Sequence, residues 1–176
     1  MQIRDVLPSD FDAIARLTNH YIEHTAIHFG AEPVSAAELR AEWEEKTRGR
    51  YGFFVADVDG FAGYAKAGVF RTRAAYAWTA EVGVYVEEAK QRRGVARALY
   101  ERVIDVSRRQ GFHTLIAGIT LPNEASVALH ERMGFHSVGV FREVGFKHGR
   151  CHDVGFWQLA LSQGTPAPLK SLAELP

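Results

Sequence analysis

The chain has 176 residues, 47% of them apolar and 24% charged, the composition of one globular domain large enough to bury a core. Its formal charge is zero, so no basic field marks it as a nucleic-acid binder. The single cysteine, Cys151, excludes an internal disulfide framework and a cysteine-based zinc cluster, and it fits a reducing compartment. Met1-Gln2-Ile3-Arg4-Asp5 lacks the apolar core of a signal peptide, and no run approaches 18 apolar residues. A cytoplasmic protein with no membrane and no nucleic-acid partner is expected.

Ser9 to Asp12 has capping spacing and predicts a helix carrying Ile14, Leu17 and Tyr21 on one stripe. A second helix is expected from about Ala36 to Thr47. Phe53-Phe54-Val55-Ala56 reads as a strand, Asp59-Gly60 as a hairpin turn and Phe61 to Phe70 as the partner strand. Trp78 to Val86 is a further strand. The helix after Gly94 places Val95, Leu99, Val103 and Val106 on one face, with Gly111 as its C-cap. Thr114 to Ile119 is a short buried strand, Asn123 to Met133 a helix ended by Gly134. Two strands near Val138–Phe141 and Val154–Leu161 close the domain, and the last dozen residues, rich in proline, read as a mobile tail. The pattern is mixed α/β, with antiparallel hairpins first and a βαβ crossover in the middle.

Val82-Gly83-Val84-Tyr85-Val86 followed by Gln91-Arg92-Arg93-Gly94-Val95-Ala96 is a strand, a basic loop and a helix opening on small residues. Such a loop gathers backbone N–H groups at a helix N-terminus, where the macrodipole adds about half a positive charge. Gly94 and Ala96 let backbone approach a ligand, and Arg92 and Arg93 add full charge, which points to a pyrophosphate site. The spacing is neither G-x-G-x-x-G nor G-x-x-x-x-G-K-[ST]. A structural turn would account for the same residues.

Alternation puts Glu81, Gly83 and Tyr85 on one face of the preceding strand and Val82, Val84 and Val86 on the other. A carboxylate there is paired, solvated or functional. A half-buried Glu81 with a raised pKa suits a base that takes a proton from an attacking amine, and an edge carboxylate with an arginine partner is the plainer alternative. His130 follows Asn123 by seven residues, about 10.5 Å along a helix, and stands off the stripe of Ala125, Leu129 and Met133. Asn123 after Pro122 is a good N-cap. Arg71 and Arg73 in the loop Arg71-Thr72-Arg73-Ala74-Ala75-Tyr76 could clamp an anion bidentately or stand solvated. His20, His24 and His28 recur every four residues, but no carboxylate or cysteine pattern supports a metal, and none is expected.

Gln-x-x-Gly-x-Ala at Gln91–Ala96 resembles the acetyl-CoA loop of the GNAT N-acetyltransferases. Asn123-Glu124-Ala125-Ser126-Val127-Ala128-Leu129-His130 before Gly134-Phe135 resembles their Asn-x-x-Ala-x-x-x-Tyr segment, with His130 in the tyrosine's place. Asn19–Glu23, Trp78–Glu81, Leu121–Asn123, Gly145–Arg150 and His152–Leu159 resemble the phosphinothricin and methionine sulfoximine N-acetyltransferases over about residues 3 to 161. Ala77 departs from that group, which tends to carry an acid there, and Ala96 replaces the last loop glycine.

The resemblance implies an α/β GNAT acyl-CoA N-acyltransferase fold, a mixed central sheet flanked by helices, over residues 1–162 with a mobile tail at 163–176. It implies transfer of the acetyl group of acetyl-CoA to the α-amino group of a small amino-acid analogue of the phosphinothricin, methionine sulfoximine or methionine sulfone type. Glu81 would be the general base and His130 a second catalytic group, protonating the leaving thiolate. Acetyl-CoA would meet Val84, Tyr85, Val86, Arg92, Arg93, Gly94, Val95, Ala96, Arg97 and Asn123. The amino acid would meet Arg71, Thr72, Arg73, Tyr76, Glu81, Val82 and Gly83. A homodimer is implied, in which Phe146-Lys147-His148-Gly149 reaches a neighbour's site. The alternatives are an acetyltransferase for a protein N-terminus or a polyamine, and a non-catalytic acyl-CoA-sensing module.

Overall fold

The computed structural model describes residues 1–175. Its strands are β1 (Gln2–Asp5), β2 (Phe53–Asp57), β3 (Phe61–Val69), β4 (Thr79–Val86), β5 (Thr114–Leu121), β6 (His136–Lys147) and β7 (Arg150–Ala160). Its helices are α1 (Phe11–His24), α2 (Ala36–Glu42), α3 (Val95–Gln110) and α4 (Glu124–Arg132). The strands form one mixed sheet in the order β1-β2-β3-β4-β5-β7-β6, antiparallel except for β4 and β5. One apolar cluster joins Val82 and Val86 of β4 to Leu99 and Val103 of α3. A second, on the other side, joins Phe53 and Tyr64 to Ile14, Leu17 and Tyr21 of α1. The sheet is thus covered on both faces, as a mixed α/β domain requires.

Several elements form for the reasons legible in their residues. Val95, Leu99, Val103 and Val106 make the buried stripe of α3, and Gly111 at φ +95° ends it by donating to the Arg108 and Ser107 carbonyls. Asp59 and Gly60 both hold positive φ, which closes the β2–β3 hairpin. Ser35 and Glu38 cap α2 reciprocally, and one π turn, Trp43–Thr47, extends it.

Other parts differ from expectation. The Ser9–Asp12 cap does not form. Asp10 is held instead by the Leu7 N–H at 2.7 Å and by Arg4 at 2.7 Å, so α1 starts after a short 3-10 turn over Pro8–Asp10. Gln2–Asp5 adds a strand, β1, pairing with β2 at the sheet edge, which nothing in its residues predicts. β6 and β7 are much longer than expected, because a bulge between Phe141 and Gly145 lets their pairing resume toward the tip. Cys151 therefore lies within β7, not in a loop. The hairpin tip turns onto its own chain, where Lys147 donates to the His28 carbonyl at 2.5 Å and a His148 ring nitrogen lies 3.2 Å from the Thr25 carbonyl.

The segment expected as a mobile tail is also held. Trp78 donates to the Ala167 carbonyl, Gln110 and Lys170 bond each other, and Leu172 and Leu175 pack on the α3 cluster. No helix among the described residues is long and apolar enough to cross a membrane.

The largest difference concerns His130. It is 3% exposed and is the only buried residue of α4, whereas Ala125, expected on the apolar stripe, is exposed. Its Nδ1 lies 2.7 Å from the Ser126 carbonyl and its Nε2 2.8 Å from the Tyr100 hydroxyl. A carbonyl only accepts, so Nδ1 carries the proton and Nε2 accepts from Tyr100. Burial holds the imidazole below its usual pKa, which keeps it neutral. In the unfolded chain His130 takes a proton below about pH 6.5, so its contribution to stability falls as pH drops through that value. His130→Leu keeps bulk and removes the acceptor of a buried hydroxyl. It should cost about 1–3 kcal/mol in denaturant unfolding and flatten the loss of stability below pH 6.5. Equal stability with an unchanged pH slope would contradict this packing.

Candidate active site

β4 and β5 pair only at Thr79↔Thr114, Ala80↔Leu115 and Glu81↔Ile116. Beyond Glu81 the strands part. β4 stays with β3 as far as Val86↔Gly63, while β5 stays with β7 as far as Leu121↔Asp153. The β5-facing backbone of Val82–Val86 therefore borders a gap instead of a neighbouring strand. The expected alternation holds along this stretch: Val82 and Val86 point into the α3 cluster, and Tyr85 packs with the α1 cluster. Val82, Val84, Tyr85 and Val86 thus offer the gap their backbone rather than their side chains.

Past Val86 the chain turns back through Gln91. Its side chain donates to the Tyr21 hydroxyl at 3.3 Å and the Val86 carbonyl at 3.4 Å, and Tyr21 itself donates to Val86 at 2.8 Å. Arg92 (φ +59°) and Gly94 (φ +82°) bend the backbone into α3, whose N-terminus no side chain caps. The first turn of any helix leaves N–H groups without partners, and Ala98→Gly94 is the first bond of this one. Gln91 to Gly94 are exposed, as are Arg92 and Arg93 within them. The arrangement can bind an anion through N–H groups, the helix dipole and two guanidiniums. Arg97 is engaged differently, its guanidinium paired with Glu101 at 2.8 Å, and adds only its backbone. Asn123 caps α4 by accepting from the Ser126 N–H at 3.1 Å, and it lines a cleft of about 490 Å³ between α4 and the β6–β7 hairpin.

Glu81 stands at the point where β4 and β5 separate, on the face away from α3. Its strand partner is Gly68, Gly83 lies two residues on, and its Oε1 would be 3.8 Å from a Cβ built on Gly118. Nothing lies within 4 Å of a Cβ built on Gly68, so the carboxylate sits in an open trough between glycines. Glu81 is exposed toward the trough yet walled by protein. Partial desolvation pushes its carboxyl above the ordinary range, and the charge of Lys66 pulls it partly back. No ion-pair partner within 4.0 Å holds it among the described residues, so the edge-carboxylate alternative does not describe it.

Arg71, Thr72 and Arg73 are exposed beyond the start of β4. The Arg71 guanidinium lies 5.2 Å from the Phe70 ring centre and 5.8 Å from that of Tyr76, which limits its motion. His130 is buried in the α3 cluster against Tyr100 and Phe135, and the hydroxyl of Tyr100 that bonds it lies near enough to Glu81 and Tyr85 to feel their charge. Sequence reasoning missed Lys66, cross-strand from Gly83, and His28, whose ring lies 5.8 Å from that of Tyr85. The signal for Lys66 was present, a cation inside an apolar strand.

Gly94 tests the loop. Its φ suits glycine, and a β-branched residue there is strained and adds carbon beside the helix N-terminus. Gly94→Val should abolish measurable acetyl-CoA binding in calorimetry while circular dichroism stays native. Unchanged affinity in a folded variant would show that the loop is only a turn.

Comparison with known proteins bears on the same architecture. The model of the family described as "Acetyltransferase (GNAT) domain" matches residues 3–155. A phosphinothricin N-acetyltransferase of Streptomyces viridochromogenes is 38% identical, covering 99% of this chain and 96% of its own. An L-methionine sulfoximine/L-methionine sulfone acetyltransferase of Salmonella typhimurium is 36% identical, with coverage of 93% and 96%. The crystal structure of a GNAT superfamily phosphinothricin acetyltransferase from Sinorhizobium meliloti, in complex with acetyl-CoA, superposes with a TM-score of 0.91 at 28% identity, over 99% of this chain and 97% of that one. The parted strands, the anion-binding loop and these matches agree: the chain belongs to the GNAT acetyltransferase family.

Proposed function

We propose that this enzyme transfers the acetyl group of acetyl-CoA to the α-amino group of a small amino acid carrying a further polar or acidic group, of the phosphinothricin, methionine sulfoximine or methionine sulfone type. The observation that carries the reading is Glu81, a carboxylate without a salt-bridge partner beside the gap between β4 and β5. Acetyl-CoA supplies an activated acetyl group as a thioester. The gap and the uncapped start of α3 fit it: Arg92, Arg93 and the N–H groups of Gly94–Arg97 suit a pyrophosphate, and the β5-facing amides near Val84 suit a carbonyl that gains negative charge. Asn123 lies on the far side of that gap.

An ammonium has no lone pair for attack, so the acceptor must lose a proton, and Glu81 takes it directly or through water. Arg71 and Arg73 hold an acid group of the acceptor at the trough's open end. No covalent enzyme intermediate is needed, since Cys151 lies on the outer hairpin. As the new C–N bond forms the thioester C–S bond breaks, and CoA leaves as a thiolate that takes a proton from water; His130 acts in this reading by positioning Tyr100. The enzyme works as a cytoplasmic homodimer. Support for the dimer comes from β6, an edge strand with Val138, Phe141, Val144 and Phe146 exposed, a surface that monomers rarely keep. Arg71 and Arg73, cations where a polyamine or the ammonium of a protein N-terminus would call for an acidic groove, favour an acceptor that carries an acid group.

Glu81→Gln should lower kcat about 10²–10⁴-fold with acetyl-CoA affinity little changed. The carboxyl becomes a base as pH rises through a pKa above the ordinary 4.3, so wild-type kcat/KM should rise with pH across that raised value and the variant should lack this limb. Turnover within a factor of about three of wild type would remove Glu81 from the mechanism and reopen the acyl-CoA-sensing alternative.

Arg73→Ala should raise the acceptor KM at a cost of about 1.5–3 kcal/mol, the worth of a hydrogen bond to a charged group, and barely move the KM for acetyl-CoA. Spermidine as the better acceptor, with its KM unmoved by the substitution, would overturn the amino-acid assignment and leave acetyl transfer standing.

A further inference from the structure

Beside the Glu81 trough, on the same face of the sheet, lies a cavity of about 170 Å³ between α1, α2 and strands β3 and β4. Phe53, Tyr64 and Tyr85 form its apolar walls, and His28, Glu42 and Lys66 supply its polar edge. The pairing Lys66↔Gly83 sets Lys66 diagonally across from Glu81. Its ammonium lies 5.9 Å from the centre of the Phe53 ring and, among the described residues, has no hydrogen bond and no ion pair within 4.0 Å. Lys66 is exposed on one side and flanked by aromatic rings on the other, so its ammonium is reachable by an anion entering the cavity. Glu42 on α2 and Glu81 on β4 are both near enough to favour its charge, but neither takes it.

The dimensions fit one acceptor in one direction. Diagonal neighbours across an antiparallel pair are about 7–8 Å apart, so an α-amine at Glu81 can direct a two-carbon side chain with its terminal oxygens toward Lys66. At about 30 Å³ for each water-sized group, the cavity takes five or six such groups, the size of that side chain with its terminal oxygens. Arg71 and Arg73 lie beyond the other end of the trough, where the acceptor's α-carboxylate would point.

We propose that this cavity holds the acceptor's side chain and that Lys66 binds oxygen atoms at its end, so that the enzyme selects α-amino acids bearing a carboxylate, phosphinate or sulfonyl group at that position. The assignment rests on the amino-acid reading above and names the residue that makes the choice. Lys66 is a specificity residue here; it moves no proton itself, though its charge tunes the Glu81 carboxyl.

The test compares wild type, Lys66→Met and Lys66→Arg on phosphinothricin, L-glutamate, L-methionine sulfone and L-norleucine, the last with a side chain of similar length and no oxygen. Wild type should prefer the oxygen-bearing acceptors. Lys66→Met should raise KM about 10-fold to 100-fold for the two anionic ones, less for the sulfone and not at all for norleucine, with kcat for norleucine kept. Lys66→Arg should restore most of the preference. The acid limb of kcat/KM should also move to higher pH in Lys66→Met, because the groups facing Glu81 across this cavity (Lys66, Glu42, His28 and Tyr85) then lose their one strong cation. Equal KM changes on all four acceptors, or none, would overturn the proposal while amino-acid acetylation stood. A wild type that acetylates no free amino acid would overturn both.

Discussion

The site depends on three residue pairs. β4 and β5 are joined only from Thr79 to Glu81 and from Thr114 to Ile116, so the sheet is two antiparallel units hinged at a short parallel seam. β4 keeps its hydrogen bonds by staying with β3, and β5 keeps its own by staying with β7 along its whole length. Parting therefore leaves only one edge of each strand without a strand neighbour. Those edges face each other just past Glu81, so the carboxylate and the unpaired amides of β4 come together by topology alone. The α3 cluster holds the seam from one side, through Ala80 and Val82 of β4 and Leu115 and Ala117 of β5, all buried.

On this frame the two faces of β4 do different work. Toward α3 the strand is apolar and closed. Toward α1 it carries Glu81, Gly83 and Tyr85, and the glycines at 68, 83 and 118 leave the carboxylate reachable. Glu81 thus keeps a raised pKa without being sealed off, and Lys66 limits how far it rises. The aromatic wall behind it is fixed by paired hydroxyls, Thr18 with Tyr64 at 2.8 Å and Tyr21 with the Val86 carbonyl. Burial pushes the Tyr85 phenol up to about 12, so it stays neutral through the working range. The loop at Gln91 is tied to the same Tyr21, which joins the start of α3 to the aromatic wall through one side chain.

Much of this was legible in the chain. The stripe Val95, Leu99, Val103 and Val106, the glycines at 94 and 111 and the alternation around Glu81 are local patterns, and local geometry follows from them. The burial of His130 is not legible, because helical spacing gives relative positions on a face but not which face meets the core. Ser126 and Tyr100 supply partners for both ring nitrogens, so a polar residue could take the buried position. The described part of the proline-rich tail is placed by contacts of the same long-range kind. Its prolines weaken helix and strand, yet Trp78, Gln110 and Gly49 bond its backbone from distant parts of the sequence. Lys66 stands out in the sequence as a cation inside an apolar strand, but that it faces Glu81 follows only from its register with Gly83, which no single strand reveals.

In the proposed reaction the β5-facing amides of β4 polarise the acetyl carbonyl beside Glu81. Isotope-edited infrared spectroscopy of acetyl-CoA labelled with carbon-13 at the acetyl carbonyl reads that contact directly. On binding, the carbonyl stretch should move to lower wavenumber, and it should keep that shift in Glu81→Gln, where the amides are intact. A bound ligand whose carbonyl absorbs as it does in water, in both proteins, would contradict the account.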